Sequence, residues 1–234
     1  MKELSLVVLA FLCGSVPFGL LIGRAKGIDI RQHGSGNIGA SNVGRVLGKR
    51  YFFLCFALDF LKGFVPTLAG GMVLGAVGRE SADTRTAVVW LSIMVAAVLG
   101  HVFSPWLKFK GGKGVATGLG AMMGVFPVFT IPALGVFVVW LIALAIWRYI
   151  SVSSILAGVL LPVFVAVSWW LMDSPALDGV FGGERAVRFE DGYPYMAVAV
   201  MLAGLVVWTH RGNIRRLRAG TEMKVGQRVE ARTS

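Results

Sequence analysis

Six stretches of this sequence are too long and too apolar to cover a water-soluble domain: residues 4–22, 51–77, 86–103, 115–147, 152–172 and 193–209. About 20 apolar residues cross the hydrocarbon of a bilayer as a helix. Inside it, helices survive because they satisfy their own backbone hydrogen bonds. The bilayer is therefore the main solvent, and the fold class is an all-α integral membrane protein. Composition agrees, since 15% of residues are charged against about a quarter in soluble domains. Ahead of the first run stands a single basic residue, Lys2, and no small-residue cleavage site follows it. It reads as a retained span and not a removed leader.

The run 115–147 is long for one helix and short for two. Proline breaks the helical hydrogen-bond ladder, so Pro127 and Pro132 near its middle predict a turn between two short helices of about 16 residues each. The positive-inside rule favours this division. With seven spans, Arg24, Lys26, Arg31, Arg45, Lys49, Arg50, Lys108, Lys110, Lys113, Arg148 and the basic tail from Arg211 onwards share one side. That side then holds seventeen of the 23 basic residues. With six spans the Arg-rich tail would be exported. The expectation is thus seven transmembrane helices, N-terminus outside and C-terminus cytoplasmic, with short cytoplasmic motif loops. The acidic segment 173–192 (Asp173, Asp178, Glu184, Glu190, Asp191) becomes an exported loop. Residues 1–222 form one domain without internal repeats, and 223–234 a polar tail expected to fray.

A formal charge of +11 on so apolar a chain points to anionic headgroups or anionic substrates. Membrane lipids, not nucleic acid, are the expected partners. Cys13 and Cys55 lie inside apolar runs without His or Cys at metal-ligand spacing, so neither a disulfide nor a metal site is expected.

Three segments on the basic side are more than basic: 33–45 (HGSGNIGASNVGR), 100–117 (GHVFSPWLKFKGGKGVAT) and 210–222 (HRGNIRRLRAGTE). Gly34, Gly36 and Gly39 spell GxGxxG, but a membrane span precedes them where a dinucleotide fold needs a strand. The run 111–114 lacks the upstream glycine and the following Ser/Thr of a Walker loop. Glycine turns still present backbone N–H groups to phosphate oxygens, an adjacent lysine adds charge, and a helix starting near Val115 adds its N-terminus. The segments hold no carboxylate cluster for a metal, and none of His33, His101 and His210 opens an HxxxxD pattern. Such a site suits two phosphorylated substrates, with no metal and no cofactor.

Taken together, the three segments resemble the signature motifs of the acyl-phosphate:glycerol-3-phosphate acyltransferase family (PlsY type), and the resemblance spans essentially the whole chain. The lysine-glycine segment and the His-Arg-x-Asn-Ile ending are its most specific parts. Departures are small: Ser41 stands where threonine is common, Ser104 interrupts a Phe-Pro pair, and Arg218 replaces an apolar residue. The resemblance implies transfer of an acyl group from acyl phosphate to sn-glycerol 3-phosphate at a bacterial inner membrane. Its products are lysophosphatidate and inorganic phosphate, and a soluble enzyme that makes acyl phosphate is a candidate partner.

Within that reading Ser35, Arg45, Lys113, His210 and Asn213 are the candidate catalytic residues. Arg45 and Lys113 are the phosphate partners, although most basic residues here serve topology alone. Ser35 offers a hydroxyl to substrate or to its own turn. His210 and Asn213, three apart, share a helix face, with Asn213 aimed at a developing oxyanion. Gly34, Gly36, Asn37, Asn42, Lys110, Gly111, Gly112, Gly114 and Thr117 are candidate phosphate- and substrate-binding residues, Asn37 and Asn42 being equally apt as loop caps. His101 and Glu222 are structural, Glu222 as an anchor for an arginine or a loop amide. Asp59 and Lys62, at i,i+3 inside a span, read as a neutralising pair. Trp106, Trp147, Trp169, Trp170 and Trp208 form an interfacial belt. The hydroxyl proton goes to a substrate phosphate in preference to His210. Two rivals stand beside this reading: an anion transporter, and an acyltransferase using acyl-CoA or acyl-carrier protein.

Overall fold

The computed structural model describes residues 1–78, 83–172 and 192–227, and among them regular structure is helical throughout. Helices α1 (Lys2–Ser15) and α2 (Phe18–Arg24) form one broken span. Pro17 supplies no N–H and drives Val16 out of helical geometry, to ψ 119°. After a glycine-rich loop come α3 (Ala40–Leu47) and α4 (Lys49–Leu74). Gly75 ends α4 at φ +67°, where a Cβ would be strained. Helix α5 (Thr84–Val102) is capped by Asp83, whose side chain accepts the Thr86 N–H. Then follow α6 (Val115–Gly124), α7 (Thr130–Trp147), α8 (Ile150–Met172), α9 (Tyr193–Thr209) and α10 (Arg211–Arg218).

Five of these units are long and apolar enough to cross a membrane: α1–α2, α4, α5, α7 and α8. A sixth is α9 joined to α10 across a 53° bend. Helix α6 has only 10 residues, about 15 Å at 1.5 Å per residue, half the hydrocarbon thickness. Small residues bring the backbones together. Gly63 faces the Thr117 carbonyl and Gly120 the Phe60 carbonyl, so α4 and α6 touch main chain to main chain; Gly14 and Gly100 do the same for α1 and α5. Lipid offers no hydrophobic drive for helix association, so such close packing carries it.

The bundle has two dissimilar ends. At one, the loops after α2 and α5, the α7–α8 corner and α10 come together. Thr209 Oγ1, which donates to Val206 O at 3.0 Å, lies 3.4 Å from Lys113 O, and Ser151 Oγ donates to Glu222 Oε1 at 2.8 Å. At the other, the start of α1 meets the start of α5 (Arg85–Glu3, 3.0 Å), and Gly78 N donates to Phe126 O.

Several sequence expectations change. The run 115–147 does divide, but into helices of 10 and 18 residues. Pro127 lies in the turn, whereas Pro132 falls in the first turn of α7, where a missing N–H costs nothing. Trp169 leaves the interfacial belt: it is buried against Tyr195, rings 5.4 Å apart, while Trp170 and Trp106 are exposed. Residues 223–227, expected to fray, strap the α7–α8 corner, Val225 N donating to Arg148 O at 2.8 Å and Arg148 Nη2 to Val225 O at 3.1 Å. The acidic segment 173–192 lies outside the described residues except for Gly192, as does the chain beyond 227.

Candidate active site

Arg45 sits on α3, a short helix with an apolar face on α4. Its loop of origin is knitted by Asn42, which is fully buried. The Asn42 amide donates to Ile30 O (3.2 Å) and His33 O (3.0 Å), and its oxygen accepts the Ser35 N–H (2.8 Å). Arg45 Nη1 reaches the same oxygen at 3.5 Å. Asn37 accepts the Gly39 N–H at 2.9 Å. Of the two roles open to these asparagines, both make loop-capping contacts. Gly34 and Gly36 hold φ of +60° and +69°, and a Cβ on Gly34 would strike the Asn42 oxygen. Their conformation places Ser35 on the exposed rim.

Lys113 is delivered by the loop between α5 and α6. Gly111 N and Gly112 N donate to Val102 O (3.0 Å) and His101 O (3.1 Å), taking up carbonyls that the end of α5 leaves open. The expectation that these two amides cradle phosphate is therefore corrected: they hold the loop to α5. Gly112 lies against the His101 imidazole so closely that a side chain has no room. Thr117, fully buried, also turns inward, its Oγ1 3.2 Å from His101 Nδ1, and so is another binding candidate whose hydroxyl faces the protein. Gly114 adopts φ +80° as the N-cap of α6. The first turn of α6, from Val115, keeps amides without intrahelical partners. Lys110 is exposed on the outer edge of the loop.

His210 stands at the bend between α9 and α10 and is 1% exposed. Its Nδ1 is 2.8 Å from Val206 O. A carbonyl only accepts, so Nδ1 carries the proton and Nε2 keeps its lone pair. The bend makes His210 the N-cap of α10, with Asn213 in the first turn of that helix. Asn213 Nδ2 donates to Glu222 Oε1 at 2.5 Å, and Arg216 Nε to Oε2 at 2.7 Å. With Ser151 also on Oε1, Glu222 joins α8, α10 and the strap. Arg211, Arg215 and Arg218 occupy the exposed face, Arg211 over the Trp208 ring at 4.4 Å.

Electrostatics tie these groups together. Burial pushes Lys113 down to about 8, with Arg216 and Arg45 adding to the shift and Glu222 opposing it. Burial likewise draws Arg45 below its usual value, against the pull of Glu222. Burial and then Lys113 push His210 down to about 4. For Glu222 burial works to raise the carboxyl, but hydrogen bonds from Asn213, Ser151 and Arg216 outweigh it and hold it low. The result is a cluster of two cations, a neutral imidazole and an oriented amide. No group of three His, Cys, Asp or Glu side chains among the described residues is placed to hold a metal ion.

A family profile described as Glycerol-3-phosphate acyltransferase matches residues 4–220. The chain belongs to that family. Glycerol-3-phosphate acyltransferase of Geobacter sulfurreducens is 42% identical over 222 residues, covering 95% of this chain and 97% of the relative. That of Geotalea daltonii is 40% identical over 94% of this chain and 96% of its own. Among solved structures, the integral membrane glycerol 3-phosphate acyltransferase PlsY in its glycerol 3-phosphate form superposes with a TM-score of 0.77. It is 36% identical and covers 97% of this chain and 96% of its own. The lysophosphatidic acid form superposes at 0.75. Family membership and this likeness establish a multi-pass helical membrane protein, with segments 33–45 and 100–117 and residues 210–220 of the third segment inside the region the family profile matches.

Sequence reasoning missed α3, Ser151, Arg216 and the strap. An amphipathic signal existed for α3: Val43, Val46 and Leu47 are apolar at helical spacing. No local pattern marks Ser151, whose partner is 71 residues away.

Proposed function

We propose that this protein is an acyl-phosphate:glycerol-3-phosphate O-acyltransferase of a bacterial inner membrane, with its site at the cytoplasmic face. It transfers a fatty acyl group from acyl phosphate to sn-glycerol 3-phosphate, giving 1-acyl-glycerol 3-phosphate and inorganic phosphate, the first acylation in phospholipid synthesis. The observation that carries this reading is the convergence of Arg45 and Lys113 beside His210 and Asn213, from segments far apart in sequence. Solved relatives in a glycerol 3-phosphate form and a lysophosphatidic acid form support the acceptor and the product. In the membrane the chain makes seven crossings, one of them completed by the residues on either side of α6, from Lys113 to Phe126, with the basic end of the bundle inside.

Arg45, Lys113 and the open amides of α6 hold the two phosphates, with Ser35, Gly34, Gly36 and Gly114 shaping the rim. The glycerol hydroxyl oxygen attacks the acyl carbonyl, the bond to the phosphate oxygen breaks, and phosphate leaves with the electron pair. The hydroxyl proton passes to the phosphate. A histidine lowered to about 4 is a weak base near neutrality, so His210 accepts a hydrogen bond at Nε2 and orients the acceptor. The remaining Asn213 N–H meets the developing oxyanion. An acyl phosphate is a mixed anhydride with a good leaving group, so positioning supplies much of the rate.

The test is purified protein in lipid nanodiscs given glycerol 3-phosphate with acyl phosphate, acyl-CoA or acyl-carrier protein in separate reactions. Lysophosphatidate and phosphate are expected from acyl phosphate alone. Product from either other donor would move the reading to a different acyltransferase, and solute uptake into vesicles without covalent product would move it to a transporter.

A further inference from the structure

Charges inside a membrane span are expensive and need a reason. Asp59 and Lys62 on α4 are 3% and 4% exposed and 2.7 Å apart. Stability alone is a poor reason, since replacing both members of a buried pair with apolar residues of similar volume is often neutral. Their contacts give a better one.

Lys62 Nζ donates to Val16 O at 2.7 Å, the carbonyl at the break between α1 and α2. Ser104 Oγ, just after α5, donates to the neighbouring Ser15 O at 2.7 Å. The pair thereby fixes where α2 begins. Helix α2 in turn carries Gly19, which abuts the Ile38 carbonyl with no room for a side chain. Cys55 Sγ lies 4.0 Å from that carbonyl and 3.7 Å from Asp59 Oδ2. This is the route to the loop that presents Arg45.

A second route starts at Asp59 Oδ1, 3.8 Å from His101 Nδ1. The same ring nitrogen meets Thr117 Oγ1 at 3.2 Å. On the far edge of the ring sits Gly112, whose Cβ position is already filled by Nε2. The backbone of His101 and Val102 accepts both loop amides. Any turn of the imidazole displaces Gly112, and with it Lys113. The two cations of the site thus hang from loops that share one buried support.

We infer that the Asp59–Lys62 pair, acting through His101 and Thr117 on one side and through Val16 and α2 on the other, is a positioning frame. It sets the spacing of Lys113 and Arg45 for the anionic acceptor. The kinetic part of this inference rests on the acyl-transfer reading above; the structural part does not.

The experiment uses the full chain in phosphatidylglycerol nanodiscs with the double substitution Asp59→Leu and Lys62→Met. It reads backbone amide exchange by mass spectrometry, thermal midpoint, and kinetics with acyl phosphate and glycerol 3-phosphate. Misplacing a positioning group by about 1 Å costs on the order of 10²-fold in rate. We expect faster exchange confined to residues 28–42 and 104–117, a preserved thermal midpoint, and a KM for glycerol 3-phosphate raised at least ~10-fold, with kcat changed less. A folded double variant with wild-type exchange in both segments and wild-type KM overturns the inference. Should that variant not fold, Thr117→Val removes one contact of the frame alone. Faster exchange across 104–117 with a raised KM then supports the frame, and wild-type behaviour overturns it. Wild-type protein that makes no lysophosphatidate would sink the acyl-transfer reading while leaving the exchange result to stand.

Discussion

The two ends of the helical bundle solve burial in opposite ways. At the motif end polar contacts knit the surface, some across distant parts of the chain, as Ser151 with Glu222 and Ser104 with Ser15, and others within a loop, as Asn42 with His33 and Ser35. At the other end aromatic packing dominates. Phe129, Trp169 and Tyr195 interlock with ring centroids 5.4–5.9 Å apart, and Trp169 Nε1 and Tyr195 Oη find no hydrogen-bond partner among the described residues. One end uses hydrogen bonds to fix directions, as the proposed site for anionic groups requires. The other fills space. The contrast identifies where this fold keeps its precision.

Removing charge at the motif end should cost most. Lys113→Met or Arg45→Met should lower kcat/KM for glycerol 3-phosphate by about 10²–10³-fold, measured in nanodiscs with the substitution checked for a normal thermal midpoint. Asn213→Ala comes next, with about 10²-fold lost in kcat and little change in KM, because an oxyanion donor acts only in the transition state. Glu222→Ala leaves the Asn213 amide, the Ser151 hydroxyl and the Arg216 guanidinium without their shared acceptor. It should cost about 1–3 kcal/mol in stability by chemical denaturation, together with roughly tenfold in kcat.

A pH series sharpens the comparison further. The Lys113 ammonium, set at about 8 by burial, is charged below that value and neutral above it. KM for glycerol 3-phosphate should therefore rise above about pH 8, and Lys113→Arg should move that limb upward. His210, at about 4, stays neutral between pH 5 and 8 and adds no limb there. The smallest effect belongs to the opposite end. Tyr195→Phe removes a hydroxyl that has no described partner, so activity should stay within about twofold and the thermal midpoint should hold or rise. A large activity loss from Tyr195→Phe would erase the distinction between the ends.

Much of this was legible in the residues themselves. The apolar runs announce the helices because hydrocarbon admits little else, and the basic clusters name the end where the motifs gather. Arg45, Lys113, His210 and Asn213 converge there from segments that the glycine and asparagine patterns mark. Proline positions were half legible: Pro127 falls in the expected turn, while Pro132 lies in the first turn of α7, the break at Pro17 was not foreseen, and Pro66 and Pro162 sit inside helices, tolerated where packing against neighbours restores what the ladder loses. The roles of Gly111, Gly112 and Thr117 were not legible. Glycine chemistry says an amide is available, but only the fold says that α5 takes it. Ser151 and the strap at 223–227 were invisible for the same reason, since a serine on an apolar helix and a short polar tail carry no sign of a partner far away in the chain.

The strap also has a consequence for the site. Among the described residues, the Asn213 amide and Arg216 Nε find their side-chain acceptor at Glu222, and Val225 clasps a corner formed by Arg148. Without that last stretch the proposed site is therefore incomplete. A chain ending before residue 222 would keep Arg45 and Lys113 but lack the carboxylate that orients the Asn213 amide and the Arg216 guanidinium.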